Sequence, residues 1–198
     1  MVRESFKKDN LMANKNLSLL TKIIKTSVTN ELNKIKITDI QPDIGSIQNN
    51  TYSINKTAYL KDINIYKGVY YSRYFEWYGE AREAFFTKCI IFDFMDDFDY
   101  AIATKHASCN YHGEISPFDT LTITVNTSNI KRASSELIFK IFNSQNELVA
   151  DGSQTVLLLD ENGKIVKAPK FIQDRMKLFY TDKQTIIIKP FEIIEKSK

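Results

Sequence analysis

The chain is short of cysteine, of net charge and of long apolar runs, and each shortage removes a class of protein. Its two cysteines, Cys89 and Cys109, stand far apart with no CxxC spacing. That excludes a disulfide scaffold and a zinc-binding cysteine cluster, and reads as two buried free thiols in a reducing compartment. Net charge is only +3 over 198 residues, with acids and bases interspersed. Nucleic-acid binders concentrate more positive charge than this, and no RNP, zinc-finger or P-loop pattern is present. No apolar run approaches the roughly 18–20 residues that a membrane span requires. Lys22 and Lys25 interrupt the one apolar region near the N-terminus. No secretory signal is therefore read there, and a cytoplasmic protein is expected.

What the chain does hold is aromatic mass. Phe and Tyr make up most of a 12% aromatic content, enough for a packed core. Residues 1–16 are Lys/Asn-rich. Leu17, Leu20, Ile24, Val28, Leu32 and Ile35 recur at helical spacing, so 17–36 reads as an amphipathic helix. Pro42, Gly45 and the pair Asn49–Asn50 mark 41–53 as a linker. The expected organisation is an N-terminal extension over 1–53 and one domain over 54–198. Within that domain a strand is expected at 54–65 and a long apolar helix at 69–91. An acidic turn follows at 93–99, then four strands in meander near 100–112, 120–130, 134–144 and 147–159. A short helix and an apolar strand fill 170–198. One helix buried almost all round by an antiparallel sheet is the economical packing of this order: an α+β hotdog domain.

The helix carries two misfits. In "NIYKGVYYSRYFEWYGEAREAFF", residues 64–86, Gly79 and Arg82 sit inside an otherwise aromatic pattern. Gly79 is expected where a strand packs close to the helix. Arg82, if buried, must be paired or fully hydrogen-bonded, with Glu83, Glu114 and Asp119 as candidate partners. His106 and His112 share a strand face, too far apart for adjacent metal ligands. They read as ordinary strand histidines, and no metal or cofactor is expected.

This stretch, with "EISPFDTLTITV" at 114–125 and "LVADGSQTVLLLDENGKIVKAP" at 148–169, resembles the 4-hydroxybenzoyl-CoA thioesterase family of hotdog proteins. It is most similar to the branch that serves enediyne polyketide biosynthesis. That branch carries T-N-L-V-G-N-V-Y followed by N-Y-x-x-W-x-G-x-x-R-E. Asn64, Val69, Tyr70, Tyr74, Trp77, Gly79, Arg82 and Glu83 match it without a gap, and Phe118, Asp119 and Leu121 match a later F-D-x-L. Two positions depart from it: the turn glycine falls on Lys67, with Gly68 one place later, and the Asn of N-Y is Arg73.

The resemblance implies thioester hydrolysis at the start of the helix. The backbone amide of Tyr71 would polarise the carbonyl, with Gly68 allowing close approach. Asn64 would orient a water or hold the thioester, in a position where the wider family keeps an Asp as base or nucleophile. Arg82 would fix the reactive carbonyl or its water, and Glu83 is a second candidate base. Val69, Tyr70 and Tyr74 would contact substrate, while Lys131 and Arg132 could meet the phosphates of CoA or phosphopantetheine. The implied substrate is a polyketide or β-ketoacyl chain on an acyl carrier protein, its released acid decarboxylating. A general acyl-CoA thioesterase and a non-catalytic acyl-binding hotdog are the alternatives. The implied assembly is a homodimer, paired into a homotetramer, with active sites between subunits.

Overall fold

The computed structural model describes residues 40, 44–91 and 100–182. The helix expected over 17–36, the acidic turn at 93–99 and the final apolar strand lie outside the described residues. Six strands form one antiparallel sheet: β1 (Ser46–Gln48), β2 (Thr51–Thr57), β3 (Ala101–Tyr111), β4 (Thr120–Ser128), β5 (Ser134–Phe142) and β6 (Leu148–Leu159). Helix α1 (Tyr71–Phe85) continues into a π-helical turn, Phe86–Ile90, and α2 (Lys170–Leu178) follows β6.

In the sheet, three sequence expectations need correcting. The expected linker contains a hairpin: β1 pairs with β2 around Asn49 and Asn50, both left-handed at φ 49° and 59°. Asparagine tolerates that conformation, and two such residues in succession make a turn that suits strand twist. The sheet thus begins ahead of residue 54. The strand expected at 54–65 stops at Thr57, and a 3-10 turn at Leu60–Asp62 takes over. The meander holds for β4, β5 and β6, but β3 does not join β4. The sheet order is β1-β2-β4-β5-β6-β3. Because β2 and β5 occupy both edges of β4, the edge of β6 is where β3 pairs.

Inward positions alternate along the strands, as a period-two pattern requires. Leu121, Ile123 and Val125 on β4, and Leu137, Phe139 and Ile141 on β5, are fully buried. Against them α1 turns Tyr74, Trp77, Tyr78, Ala81 and Phe85, a stripe at three- and four-residue spacing. The helix touches β2, β4 and β3. Strands β2 and β3 are four places apart in the sheet, about 19 Å if it were flat. A helix is only about 10–12 Å wide. The sheet must therefore curl around it, which is the hotdog arrangement.

The helix is not buried all round, however. Glu76, Glu80 and Glu83 are exposed, and a Cβ added at Gly79 would meet nothing within 4 Å. No strand packs on Gly79 among the described residues. The close approach occurs at Gly152 instead. A Cβ there would lie 2.2 Å from the Ser108 carbonyl oxygen and 2.8 Å from the Tyr78 ring. Tyr78 uses that space to stack on Phe139 at 4.6 Å and to bring its hydroxyl 3.4 Å from Cys109. At the other end of the helix, the buried Arg175 of α2 donates to the Ile90 carbonyl at 2.6 Å. A cation on a terminal carbonyl satisfies an orphan acceptor and the helix dipole together.

Two measurements check this packing. Gly152→Ala should cost about 2 kcal/mol or more, by overpacking against backbone. A urea midpoint unchanged by the substitution would refute the contact. Burial pushes the Tyr74 hydroxyl up to about 12 from an ordinary 10. The folded state therefore holds this proton more tightly than the unfolded chain. Its contribution is complete below pH 10 and lost as pH rises from 10 towards 12. Tyr74→Phe should flatten that alkaline fall in melting temperature.

Candidate active site

Between β2 and α1 the chain makes two tight local structures that share a wall. The first is built on Asp62, which is 2% exposed. Its carboxylate accepts the Tyr59 amide at 2.9 Å and stands 3.4 Å from the Arg73 guanidinium. Its carbonyl accepts the Tyr70 amide at 3.1 Å. A buried carboxylate held by an amide and a cation is a structural anchor and has no access to substrate. Arg73 thus has a local partner in Asp62.

The second structure is the loop Asn64–Gly68. The Asn64 amide donates to the Gly68 carbonyl at 2.8 Å, and the Lys67 amide to the Asn64 carbonyl at 3.0 Å. The Asn64 side-chain oxygen accepts the amides of Tyr66 at 2.8 Å and Gly68 at 3.2 Å. Both acceptor sites of that oxygen are therefore used, and the side-chain NH2 group is left to donate. A Cβ at Gly68 would meet one atom within 4 Å, the Asn64 side-chain nitrogen at 3.8 Å. The glycine leaves a notch that this donor faces. Lys67, not Gly68, takes the left-handed backbone, at φ 66°.

The helix starts directly beyond. No side chain caps it. The Tyr70 amide goes to Asp62 and the Arg73 amide to the Tyr70 carbonyl at 2.9 Å. Among the described residues no acceptor takes the Tyr71 or Ser72 amides. These two donors carry the positive end of the helix dipole. Around them Tyr70 and Tyr71 are exposed, Val69 is half-buried, and the buried Tyr74 meets Tyr111 edge-on at 4.9 Å.

The structure thus gathers Asn64, Gly68, Val69, Tyr70, Tyr71 and Tyr74 in one place. It does not bring Arg82 there within one chain. Arg82 lies eleven residues past Tyr71, about 16 Å along the axis. Its guanidinium donates to Thr104 at 2.6 Å and Gln154 at 3.4 Å, and lies 3.5 Å from Glu83. Of the three acids considered for it, Glu83 is the near one; the Asp119 carboxylate accepts the Ser116 amide at 2.7 Å. Lys131 and Arg132 follow β4, whose Thr120 end pairs with Thr57 beside the site. They stand at the opposite end of the sheet, about 30 Å away at strand rise.

Near the site in sequence, or in contact with it through Tyr74 or Ala58, several large apolar and aromatic residues are exposed: Tyr59, Leu60, Ile65, Tyr66, Tyr111 and Phe118, an apolar collar of which only Phe118 belongs to a motif read in the sequence. Phe118 holds a left-handed φ of 71°. Nothing in its sequence neighbourhood announces that, since the strain comes from its amide reaching the Ala58 carbonyl at 2.6 Å. His112 pairs with Asp151, and no group of three potential metal ligands occurs among the described residues. No described helix is long and apolar enough to cross a membrane.

The fold and this helix-start site define a hotdog protein of the thioesterase type. The chain belongs to the thioesterase-like superfamily, whose family model matches residues 59–176. No curated protein sequence matches it. Solved structures do. A 1,4-dihydroxy-2-naphthoyl-CoA thioesterase from Synechocystis is 17% identical with a TM-score of 0.57, covering 64% of this chain and 96% of its own. The dynemicin thioesterase, solved in a study of polyene binding, is 20% identical with a TM-score of 0.59, covering 65% and 96%. A hypothetical protein of Staphylococcus aureus in complex with CoA is 13% identical with a TM-score of 0.61, covering 74% and 91%. At these identities the likeness is one of fold.

The Lys67 backbone is directly testable. Left-handed geometry costs a non-glycine residue about 1–2 kcal/mol, partly offset by the flexibility glycine adds to the unfolded chain. Lys67→Gly should therefore stabilise the protein by about 0.5–1 kcal/mol in denaturant titration. A loss of stability would mean that the lysine side chain itself holds the loop.

Proposed function

We propose that this protein hydrolyses acyl thioesters at the start of α1. The observation that carries the reading is the Asn64 amide group, locked by two loop hydrogen bonds so that its NH2 faces the Gly68 notch, a few residues ahead of a helix start whose Tyr71 amide has no acceptor among the described residues. Two such donors converging on one carbonyl would suit a developing oxyanion, and each is worth about 3–4 kcal/mol. Asn64 then acts by donating. It cannot take the proton of an attacking water, both because it is an amide and because its oxygen is fully occupied. Tyr70, Val69 and Tyr74 line the approach.

The reading includes a second copy of the chain. Among the described residues, β3 is an 11-residue strand at the end of the sheet with one edge unpaired. Arg82 binds Thr104 on that strand. Pairing two β3 edges would bring Arg82, with Glu83, to the subunit seam and cover the apolar collar. Dimers could stack as tetramers. A CoA thioester is the simplest substrate, in keeping with the CoA complex among the similar structures. A polyketide or β-ketoacyl chain on a carrier protein, with decarboxylation of the freed acid, is the narrower version. The two free thiols suit a cytoplasmic setting.

The experiment is release of free thiol from a panel of acyl-CoA and acyl-carrier thioesters. No release above the solution rate on any of them would sink the proposal. Asn64→Ala and Arg82→Ala should each lower kcat/KM about 100-fold, a loss typical of one oxyanion donor. Asn64→Asp keeps the two loop acceptors but removes the donor and adds negative charge, so activity should also fall. A rise on CoA esters would show that Asn64 stands in for a lost base.

A further inference from the structure

Three phenols meet where α1 lies against β3, and two of them are already engaged. Tyr78, two turns into the helix, brings its hydroxyl 3.4 Å from the Cys109 thiol. Tyr111, two residues along β3 from Cys109, hydrogen-bonds the same thiol. Tyr74 is the exception. It is 4% exposed, edge-on to Tyr111 at 4.9 Å and tilted against Trp77 at 5.5 Å. Its ring is well packed, yet its hydroxyl has no hydrogen-bond partner among the described residues. The oxygen is not sealed off, since it keeps some contact with the surface. A tyrosine so deeply buried ordinarily finds a partner for its hydroxyl. Phenylalanine would fill the same space without the cost of stripping water from a polar group. The chain thus keeps a hydroxyl whose partner it does not itself supply.

The direction of the side chain places that partner. Side chains on a helix lean back towards its N-terminus, over the preceding turn. For Tyr74 that turn begins at Tyr71, about 4.5 Å back along the axis, and the Tyr71 amide is the unclaimed one. Tyr111, which covers the Tyr74 ring, is 43% exposed and close enough to Tyr71 for the two hydroxyls to interact electrostatically. The free hydroxyl therefore stands in the wall between α1 and β3, one turn inward from the helix start. Burial pushes its ionisation up to about 12, so at neutral pH it is a donor and not a base.

We propose that the Tyr74 hydroxyl determines specificity by hydrogen-bonding an oxygen on the acyl chain itself, two carbons from the thioester carbonyl. An acyl group whose thioester oxygen meets the Tyr71 amide passes Tyr74 as it runs inward along the helix. A 3-oxo or 3-hydroxy oxygen then satisfies the hydroxyl, and a plain chain leaves it unpaired against hydrocarbon. This role rests on the thioesterase reading and adds a preference that neither Asn64 nor the helix dipole supplies.

The test compares kcat/KM, by release of free thiol, for the CoA thioesters of butanoate, 3-oxobutanoate and 3-hydroxybutanoate. The wild-type protein should favour at least one oxygenated chain over butanoyl-CoA by about tenfold or more, as a buried hydroxyl left unpaired by the wrong substrate requires. Tyr74→Phe should bring that ratio to within about twofold of unity. Tyr111→Phe removes a hydroxyl already engaged by Cys109 and should keep the ratio. A ratio of two substrates on one variant does not change with the amount of folded protein, so lost stability cannot imitate the result. Equal turnover of all three by the wild type, or a preference that survives Tyr74→Phe, overturns the role. If the wild type releases no thiol from these or any other ester, it is the thioesterase reading that has failed. Calorimetric titration with the same three esters then decides for Tyr74 alone. An oxygenated ester should bind about tenfold more tightly than butanoyl-CoA and lose that margin in Tyr74→Phe, and equal affinities overturn the role.

Discussion

The arrangement at the helix start depends on Asp62. It is the one acid in the segment between β2 and α1, and it is buried. A carboxylate in that position must be compensated, and the compensation organises the segment. Its side chain holds the 3-10 turn through Tyr59, its carbonyl holds the last residue before the helix through Tyr70, and its charge holds the first turn of the helix through Arg73. With both ends of the loop tied to one residue, Asn64–Gly68 has little freedom in how it meets the helix. The placing of the Asn64 loop directly ahead of the helix start is a consequence of this anchor. It also accounts for Arg73 in the first turn of the helix: a buried acid calls for a cation.

The loop illustrates how the spacing of a reversal, and not the residue best suited to it, decides where the left-handed backbone falls. The antiparallel bridge between Ile63 and Val69 sets the number of residues available for the reversal. One of them must turn left-handed, and it is Lys67 by position, whatever its side chain. Gly68, freed from that duty, contributes by lacking a side chain where the Asn64 amide needs room. Strain at a loop beside unclaimed helix amides is stored by the surrounding hydrogen bonds, and functional sites are where such strain tends to persist.

The sequence made the long elements legible and the short ones not. Aromatic spacing in 69–91 and alternation in "LTITVNT" and "LIFKIFN" placed α1, β4 and β5 to within a few residues, because each buries one continuous face and carries its period through many positions. Asn49–Asn50 misled, because the same pair that punctuates a linker also closes a two-residue hairpin. Pairing with β2, not composition, decides between them. The place of β3 was hidden for a similar reason: edge competition around β4 is a property of the whole sheet. Gly79 and Gly152 show the limit for single residues. Both are isolated glycines in regular elements. Only Gly152 has backbone within reach of its missing Cβ. At the site, Asn64 and its ungapped spacing to the helix were readable. The role of Asp62 was not, since its partners come from positions flanking it on both sides.

One helix therefore separates two chemistries. At its start the backbone amides are unclaimed, polar groups crowd a notch, and the apolar collar lies open. At its end the last carbonyl is taken by Arg175, and the surroundings are an apolar recess closed by α2. The dipole of α1 sharpens that division, since its positive end favours a developing anion and its negative end favours the guanidinium already there. Gln154 and Thr104, halfway along, hold Arg82 beside the edge strand, where a charge can be kept without full desolvation. The same aromatic stripe that anchors α1 in the sheet fixes the distance between the two ends.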